Sequence, residues 1–191
     1  MTEGGYPELT EATVKESLRR LLAQHTPHKA EFGTPSAVLI PLFDQGGETC
    51  VWLLRRPETM RTHRGQVAFP GGKRDEADAS PTATALRETE EELGIASTAV
   101  DVLGVLDDFP TITGFVISPV VGWVAPETVV RANPREVARA FYAPLREFLK
   151  KPTGIPPFGG FPVEGEFVWG ATAAILTNFA TFLRRAVPQL Q

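Results

Sequence analysis

Apolar residues at Leu9, Val14, Leu18, Leu21 and Leu22 recur with near-helical spacing, and Thr10 stands where a cap would sit. The stretch from Gln24 to Gly33, which contains Pro27, breaks the pattern and reads as a connector. Ala37 to Phe43 and Thr49 to Arg55 predict two strands joined by Asp44-Gln45-Gly46-Gly47, and a short strand, Gln66 to Phe69, precedes Pro70-Gly71-Gly72. Ser80 to Gly94 is the clearest helix: Ser80 can cap it, Pro81 suits the first helical position, and Gly94 can end it. Strand patterns follow at Val100 to Leu106, Phe115 to Val124 and Val137 to Tyr142. Ala171 to Val187 then returns to helical spacing, with Ile175, Leu176, Phe179, Phe182 and Leu183 on one side. Helices distributed around a mixed set of strands predict an α/β/α layered domain.

The chain has 191 residues, the size of a single domain with a real core, and residues 1–30 read as a helical extension packed on it. Apolar residues make up 42% and charged residues 22%, the balance of an ordinary globular protein. The net charge of −4 gives no bulk attraction to nucleic acid or to an anionic membrane. The most apolar short run, AVLIPLF from Ala37, falls far below the roughly 20 residues that span a bilayer. Cys50 is the single cysteine, so no internal disulfide can form. Together with a first stretch charged throughout, this predicts a soluble cytoplasmic protein. The pattern carries no information on homodimer formation.

Charge in the middle of the chain is sharply divided. Between Arg55 and Arg74 stand Arg55, Arg56, Arg61, Arg64, Lys73 and Arg74, with His63 and one acid, Glu58. From Asp75 to Glu92 the sign reverses: Asp75, Glu76, Asp78, Glu88, Glu90, Glu91 and Glu92 face Arg87 alone. A metal–phosphate site needs both, bases to neutralise substrate oxygens and acids to hold a hard cation. At about 100° per residue, Glu91 and Glu92 fall within roughly 60° of Glu88, whereas Leu86, Leu93 and Glu90 point about 140–160° away. Like charges so arranged repel, Arg87 can offset one of them, and a divalent cation can offset the rest. Glutamate-rich helices are commonly solvated faces, but those usually mix signs and this one does not. The basic strip lacks the interleaved aromatics of an RNA-stacking platform.

Together these features resemble the Nudix hydrolase family. Its signature runs Gly, five residues, Glu, seven residues, Arg-Glu, an aliphatic, any residue, Glu-Glu, any residue, Gly, an aliphatic. Gly72 opens it here, and Arg87-Glu88-Thr89-Glu90-Glu91-Glu92-Leu93-Gly94-Ile95 closes it in register. Asp78 stands where the family has Glu, eight residues separate it from Arg87, and Thr89 replaces the aliphatic. The departures are similar to the coenzyme A diphosphatase branch, whose GGK-x-D-x-x-D and TALRE are matched by Gly71 to Asp78 and Thr84 to Glu88. That branch's upstream motif is reproduced by Arg56, Arg61, Gly65 and Phe69-Pro70-Gly71-Gly72, and its opening Leu-Leu-Thr is kept in part as Trp52-Leu53-Leu54. Val168 to Ala173 is similar to the segment that opens the branch's final helix.

The resemblance implies an α+β fold, a Nudix-like α/β/α sandwich with a mixed central sheet and a catalytic loop–helix–loop. It implies coenzyme A or its thioesters as substrate, cleaved to 3′,5′-ADP and 4′-phosphopantetheine. Mg²⁺ or Mn²⁺ on Glu88, Glu91 and Glu92 is the expected cofactor, with Arg87 supporting them. Arg56, Arg61, Arg64, Gly71, Gly72 and Lys73 are the expected substrate contacts, and Arg61 and Arg64 the candidates for the 3′-phosphate. A proton acceptor is expected among these glutamates or at Glu164 or Glu166. The rival readings are a Nudix hydrolase of ADP-ribose, dinucleotides or nucleoside triphosphates, a non-catalytic ligand sensor, and an isomerase. The intact glutamate set speaks against the sensor, and the position of Cys50 in an upstream strand against the isomerase.

Overall fold

A computed structural model describes residues 11–59, 64–154 and 159–187. The first hairpin follows from its turn. Gly46 and Gly47 take φ of 63° and 91°, the positive pair that a two-residue primed turn needs. Asp44 accepts the Gly47 N–H at 2.9 Å. The turn sets β1 (Thr34–Gln45) antiparallel to β2 (Glu48–Arg55), but they pair only from Leu42 and Val51 to the turn. Beyond that point the two strands diverge. The opening is filled by β3 (Val67–Ala68), which pairs with β2, and β4 (Gly71–Lys73), which pairs with β1.

On its other side β1 runs parallel to β7 (Phe115–Val124), from Thr34 opposite Phe115 to Leu42 opposite Trp123. The remaining neighbours are antiparallel: β5 (Val100–Val105) and β6 (Phe109–Pro110) on β7, and β8 (Arg139–Pro144) on the far side of β2. This is an eight-stranded mixed sheet. A separate hairpin of β9 (Phe161–Val163) and β10 (Glu166–Val168) is tied to it by Arg139, whose guanidinium meets Glu166 at 2.9 Å.

Alternation along β1 sends side chains to two separate cores. Ile40 and Leu42 join Trp123, Phe141 and Val121 beneath α1 (Glu11–Leu22) and α3 (Gly170–Ala186). Ala37, Leu39 and Phe43 join Val120 and Val124 beneath α2 (Pro81–Leu93). The expected α/β/α layering is what the chain adopts. Helix α1 buries Val14, Leu18 and Leu22, and Arg19 reaches Asp101 on β5 at 2.5 Å. Among the described residues no helix is long and apolar enough to cross a membrane.

Two differences from the sequence pattern have simple causes. Val137 is buried, as its apolar character requires, but its N–H bonds to Asn133 in a turn at 2.8 Å. The strand therefore runs over Arg139–Pro144 rather than from Val137 to Tyr142. Strand β3 falls inside the expected Gln66 to Phe69 segment, whereas the two- and three-residue strands β4, β6, β9 and β10 are too short for alternation to register them. Thr10, the expected cap of α1, lies outside the described residues.

Phe179 of α3 is a large, fully buried side chain in the core shared with α1 and the sheet. Phe179→Ala should lower the unfolding free energy by ~3–5 kcal/mol through lost transfer energy and a residual cavity. Urea denaturation monitored by circular dichroism measures it, and a loss under about 1 kcal/mol would show that α3 is not packed as described.

Candidate active site

Helix α2 is assembled by local signals. Ser80 Oγ accepts the Ala83 N–H at 3.2 Å, Pro81 opens the first turn, and Gly94, at φ 66°, closes the last by donating to Glu90 O at 3.0 Å. Ala85 and Leu93 seat the helix on the core under β1 and β7. Thr89, where an aliphatic was expected, is buried too and donates its hydroxyl to Ala85 O at 2.6 Å.

That seating brings Glu88 and Glu92 against the strand that fills the split in the sheet. Glu92 is 1% exposed; its Oε2 accepts the Gly71 N–H at 2.9 Å, and its Oε1 lies 3.4 Å from Arg56 Nη1. A Cβ at Gly72 would fall 2.4 Å from Glu88 Oε1, so any side chain there would have to displace this carboxylate. Glu91 stands at the exposed rim with Oε2 3.2 Å from Arg87 Nη1. Glu90 faces away and accepts the Ser97 N–H at 3.3 Å, as the helical angles required.

Arg87 locks the loop before the helix to the helix itself. Its Nε and Nη2 donate to Asp78 at 3.1 and 3.0 Å, Nη2 also to Lys73 O at 3.3 Å, and Nη1 lies 3.0 Å from Glu88 Oε1. Asp78 is buried and also accepts the Asp75 N–H at 3.0 Å. The Arg87 guanidinium and that N–H hold the Asp78 carboxyl well below the usual carboxylate range, and Asp78 in turn raises the pKa of Arg87. Asp78 reaches Arg87 although its side chain is one methylene shorter than a glutamate's and eight residues separate it from Arg87.

The glutamates feel the opposite influence. Burial pushes Glu92 up to about 7 against the pull of the Gly71 N–H and Arg56, with Glu88 and Glu136 adding repulsion. Burial also raises Glu88, and Glu91 and Glu136 again repel it. Glu136 was not anticipated. It lies in the turn before β8, which docks on the end of α2 through Asn133 N–H to Glu92 O at 2.9 Å and Arg131 N–H to Leu93 O at 2.8 Å. No spacing rule links Glu136 to Glu88; the docked turn does.

Of the remaining expected residues, Lys73 and Arg64 are exposed, and Arg61 lies outside the described residues. Glu166 is held by Arg139 at 2.9 Å and by Arg55 at 3.5 Å, on the hairpin side of the sheet. Glu164 occupies the β9–β10 turn at φ 51°. Among the described residues, Glu136 is a carboxylate outside α2 whose charge repels both Glu88 and Glu92. Cys50 is buried and its thiol is pushed up to about 11, the reverse of an activated nucleophile. Among the described residues no three Asp, Glu, His or Cys side chains converge closely enough to hold a metal ion as they stand. The donor set nevertheless suits a hard cation: carboxylate oxygens on one face, two raised by burial and mutual repulsion, with Glu91 close by at the rim.

Residues 33–161 match the NUDIX domain family, and the chain belongs to it. It is 42% identical over 155 residues to a Cronobacter sakazakii protein named as the uncharacterized Nudix hydrolase NudL, covering 76% of this chain and 80% of that one. A Yersinia enterocolitica protein of the same name is 39% identical over 185 residues, covering 88% and 92%. Among solved structures the fold is similar to the Nudix hydrolase RenU from M. smegmatis, at a TM-score of 0.60 and 18% identity over 80% of this chain and 86% of that one.

The buried carboxylate sets a pH dependence for the metal-free protein. Glu92 has a folded value of about 7 against an ordinary 4.5, so the folded chain holds an extra proton between those values. Stability therefore falls as pH rises through that window. In chelator, wild type should lose roughly 2 kcal/mol between pH 5 and pH 8 from this group, and Glu92→Gln should remove most of that slope. Denaturant midpoints at the two pH values measure it; equal slopes in the two proteins would refute the assignment.

Proposed function

We propose that this chain is a divalent-metal-dependent hydrolase of phosphoric anhydride bonds in nucleoside-diphosphate compounds, with coenzyme A as its preferred substrate. The supporting observation is the seating of Glu88 and Glu92 against Gly71-Gly72 with Arg56 alongside. Carboxylates for a cation and a cation for phosphate oxygens then meet within one turn of helix. Glu88, Glu91 and Glu92 would hold Mg²⁺ or Mn²⁺. A bound ion of this kind polarises phosphate oxygens and lowers the pKa of a water molecule.

The remaining work belongs to the chain. Arg56 and Lys73 flank Gly71-Gly72 and attract the diphosphate, while Arg64, and Arg61 with it, supply charge for the 3′-phosphate. Arg87, fixed by Asp78, holds Glu88 and Glu91 on the same side. Glu136 is the proposed proton acceptor, since it stands apart from α2 yet close enough to repel both buried glutamates. The choice of coenzyme A rests on the resemblance of Arg56 to Gly72 and of Gly71 to Glu88 to the coenzyme A diphosphatase branch. Hydrolysis would yield 3′,5′-ADP and 4′-phosphopantetheine.

Glu88→Gln and Glu92→Gln should each lower kcat with magnesium by roughly a hundredfold or more, and Glu136→Gln by a comparable factor, with the fold retained. Glu90→Gln should stay within about threefold of wild type, because its side chain lies on the opposite face. Comparable losses at Glu90 and Glu88 would sink the assigned face. For the substrate, mass spectrometry of products from coenzyme A, ADP-ribose and nucleoside triphosphates, with and without magnesium, should show coenzyme A cleaved with the highest specificity constant. A preference for ADP-ribose of about tenfold would overturn that choice and leave the hydrolase assignment standing.

A further inference from the structure

The segment between β7 and β8 closes onto the end of α2 through its backbone. Arg131 N–H donates to Leu93 O at 2.8 Å and Asn133 N–H to Glu92 O at 2.9 Å. Both carbonyls lie in the last turn of the helix, which has no intrahelical donor to offer them. The approach is close: a Cβ on Gly94 would fall 2.9 Å from Arg131 O. Glu92, which carries the buried carboxylate, therefore also anchors this segment through its own main chain.

Asn133 then opens a β-turn. Its main-chain O accepts the Glu136 N–H at 3.1 Å and the Val137 N–H at 2.8 Å. Pro134 takes the second position of the turn, where its fixed φ is favoured. The Asn133 side chain is used at both ends: Oδ1 accepts the Arg135 N–H at 3.1 Å, and Nδ2 donates to Glu136 Oε1 at 3.4 Å. These two contacts fix the orientation of the amide, since the reverse would set oxygen against a carboxylate and nitrogen against an N–H.

The first side-chain contact belongs to the turn, and the second does not. An Asx-type turn needs only the acceptor, which aspartate or serine also supplies. The donor has a different effect. Glu136 is half-buried and is repelled by Glu88 and Glu92, so without an opposing donor its side chain would swing toward water. The Asn133 amide ties that carboxylate to the residue whose main chain is docked on Glu92. At 3.4 Å the contact is long, as hydrogen bonds of catalytic groups often are before substrate binds.

We propose that Asn133 is the positioning residue for Glu136, its amide holding that carboxylate beside the α2 glutamates at a place set by the last turn of the helix. The proposal rests on Glu136 being the proton acceptor. It does not depend on which nucleoside-diphosphate compound is cleaved.

The test measures kcat and KM with magnesium, on coenzyme A and on ADP-ribose, for wild type, Asn133→Ser, Asn133→Asp, Glu136→Gln and the double variant Asn133→Ser with Glu136→Gln. Serine and aspartate keep an acceptor for the Arg135 N–H and lose the amide donor, serine without adding charge; circular dichroism checks the fold. Both single variants at Asn133 should lower kcat by roughly tenfold on whichever compound is cleaved, with KM within about twofold. In the Glu136→Gln background, Asn133→Ser should cost less than about twofold, because the group that it positions is gone. An unchanged kcat in Asn133→Ser, a loss confined to KM, or a full further loss in the double variant would overturn the positioning role. Wild-type kcat in Glu136→Gln would instead overturn the proton acceptor on which that role rests, and wild type that cleaves neither compound would overturn the proposed function.

Discussion

A carboxylate buried where the sheet divides is the constraint around which the rest of this molecule is arranged. Glu92 is almost wholly shielded from water, and its partners among the described residues are one backbone N–H and one guanidinium at 3.4 Å. Taking a carboxylate out of water is unfavourable unless it is paired and hydrogen-bonded, and here the compensation is incomplete. Glu88 and Glu136 add to the deficit rather than relieving it. The site is therefore left short of positive charge, at the expense of stability.

The split between β1 and β2 makes the arrangement possible. Had the hairpin stayed paired along its length, no strand edge would face α2 at Gly71-Gly72. Because it opens, β3 and β4 enter from the side and bring two glycines edge-on to the helix. Gly71 leaves no room for a Cβ, which would fall 2.4 Å from Ala37 O, and Gly72 leaves room only for the Glu88 carboxylate. The Arg87–Asp78 pair then fixes the intervening loop, so strand, loop and helix behave as one rigid support. Rigidity of that kind is what a site needs to hold charges at close quarters without letting them relax apart.

Much of this was legible in the linear sequence, for identifiable reasons. Ser80, Pro81 and Gly94 mark the ends of α2 because capping is local chemistry. The helical angle placed Glu88, Glu91 and Glu92 on one face and Glu90 on the other because the α-helix has a fixed period. The hairpin turn followed from Gly46-Gly47, whose positive φ values other residues rarely adopt. In each case the cause lies within a few residues of its effect.

What lay beyond the sequence was long-range. No periodicity could say that Glu92 would be buried and Glu91 exposed, since that depends on β4 covering one side of the shared face. The repulsion that Glu136 exerts on Glu88 and Glu92 depends on a turn about 40 residues along the chain docking on the end of α2. The capture of Glu166 by Arg139 and Arg55 depends on a hairpin packing against β2 and β8. The sequence alone therefore determined which groups can do chemistry and which local elements carry them. The tertiary structure decided which of those charges meet, because burial and electrostatic coupling depend on distances that only the folded chain sets.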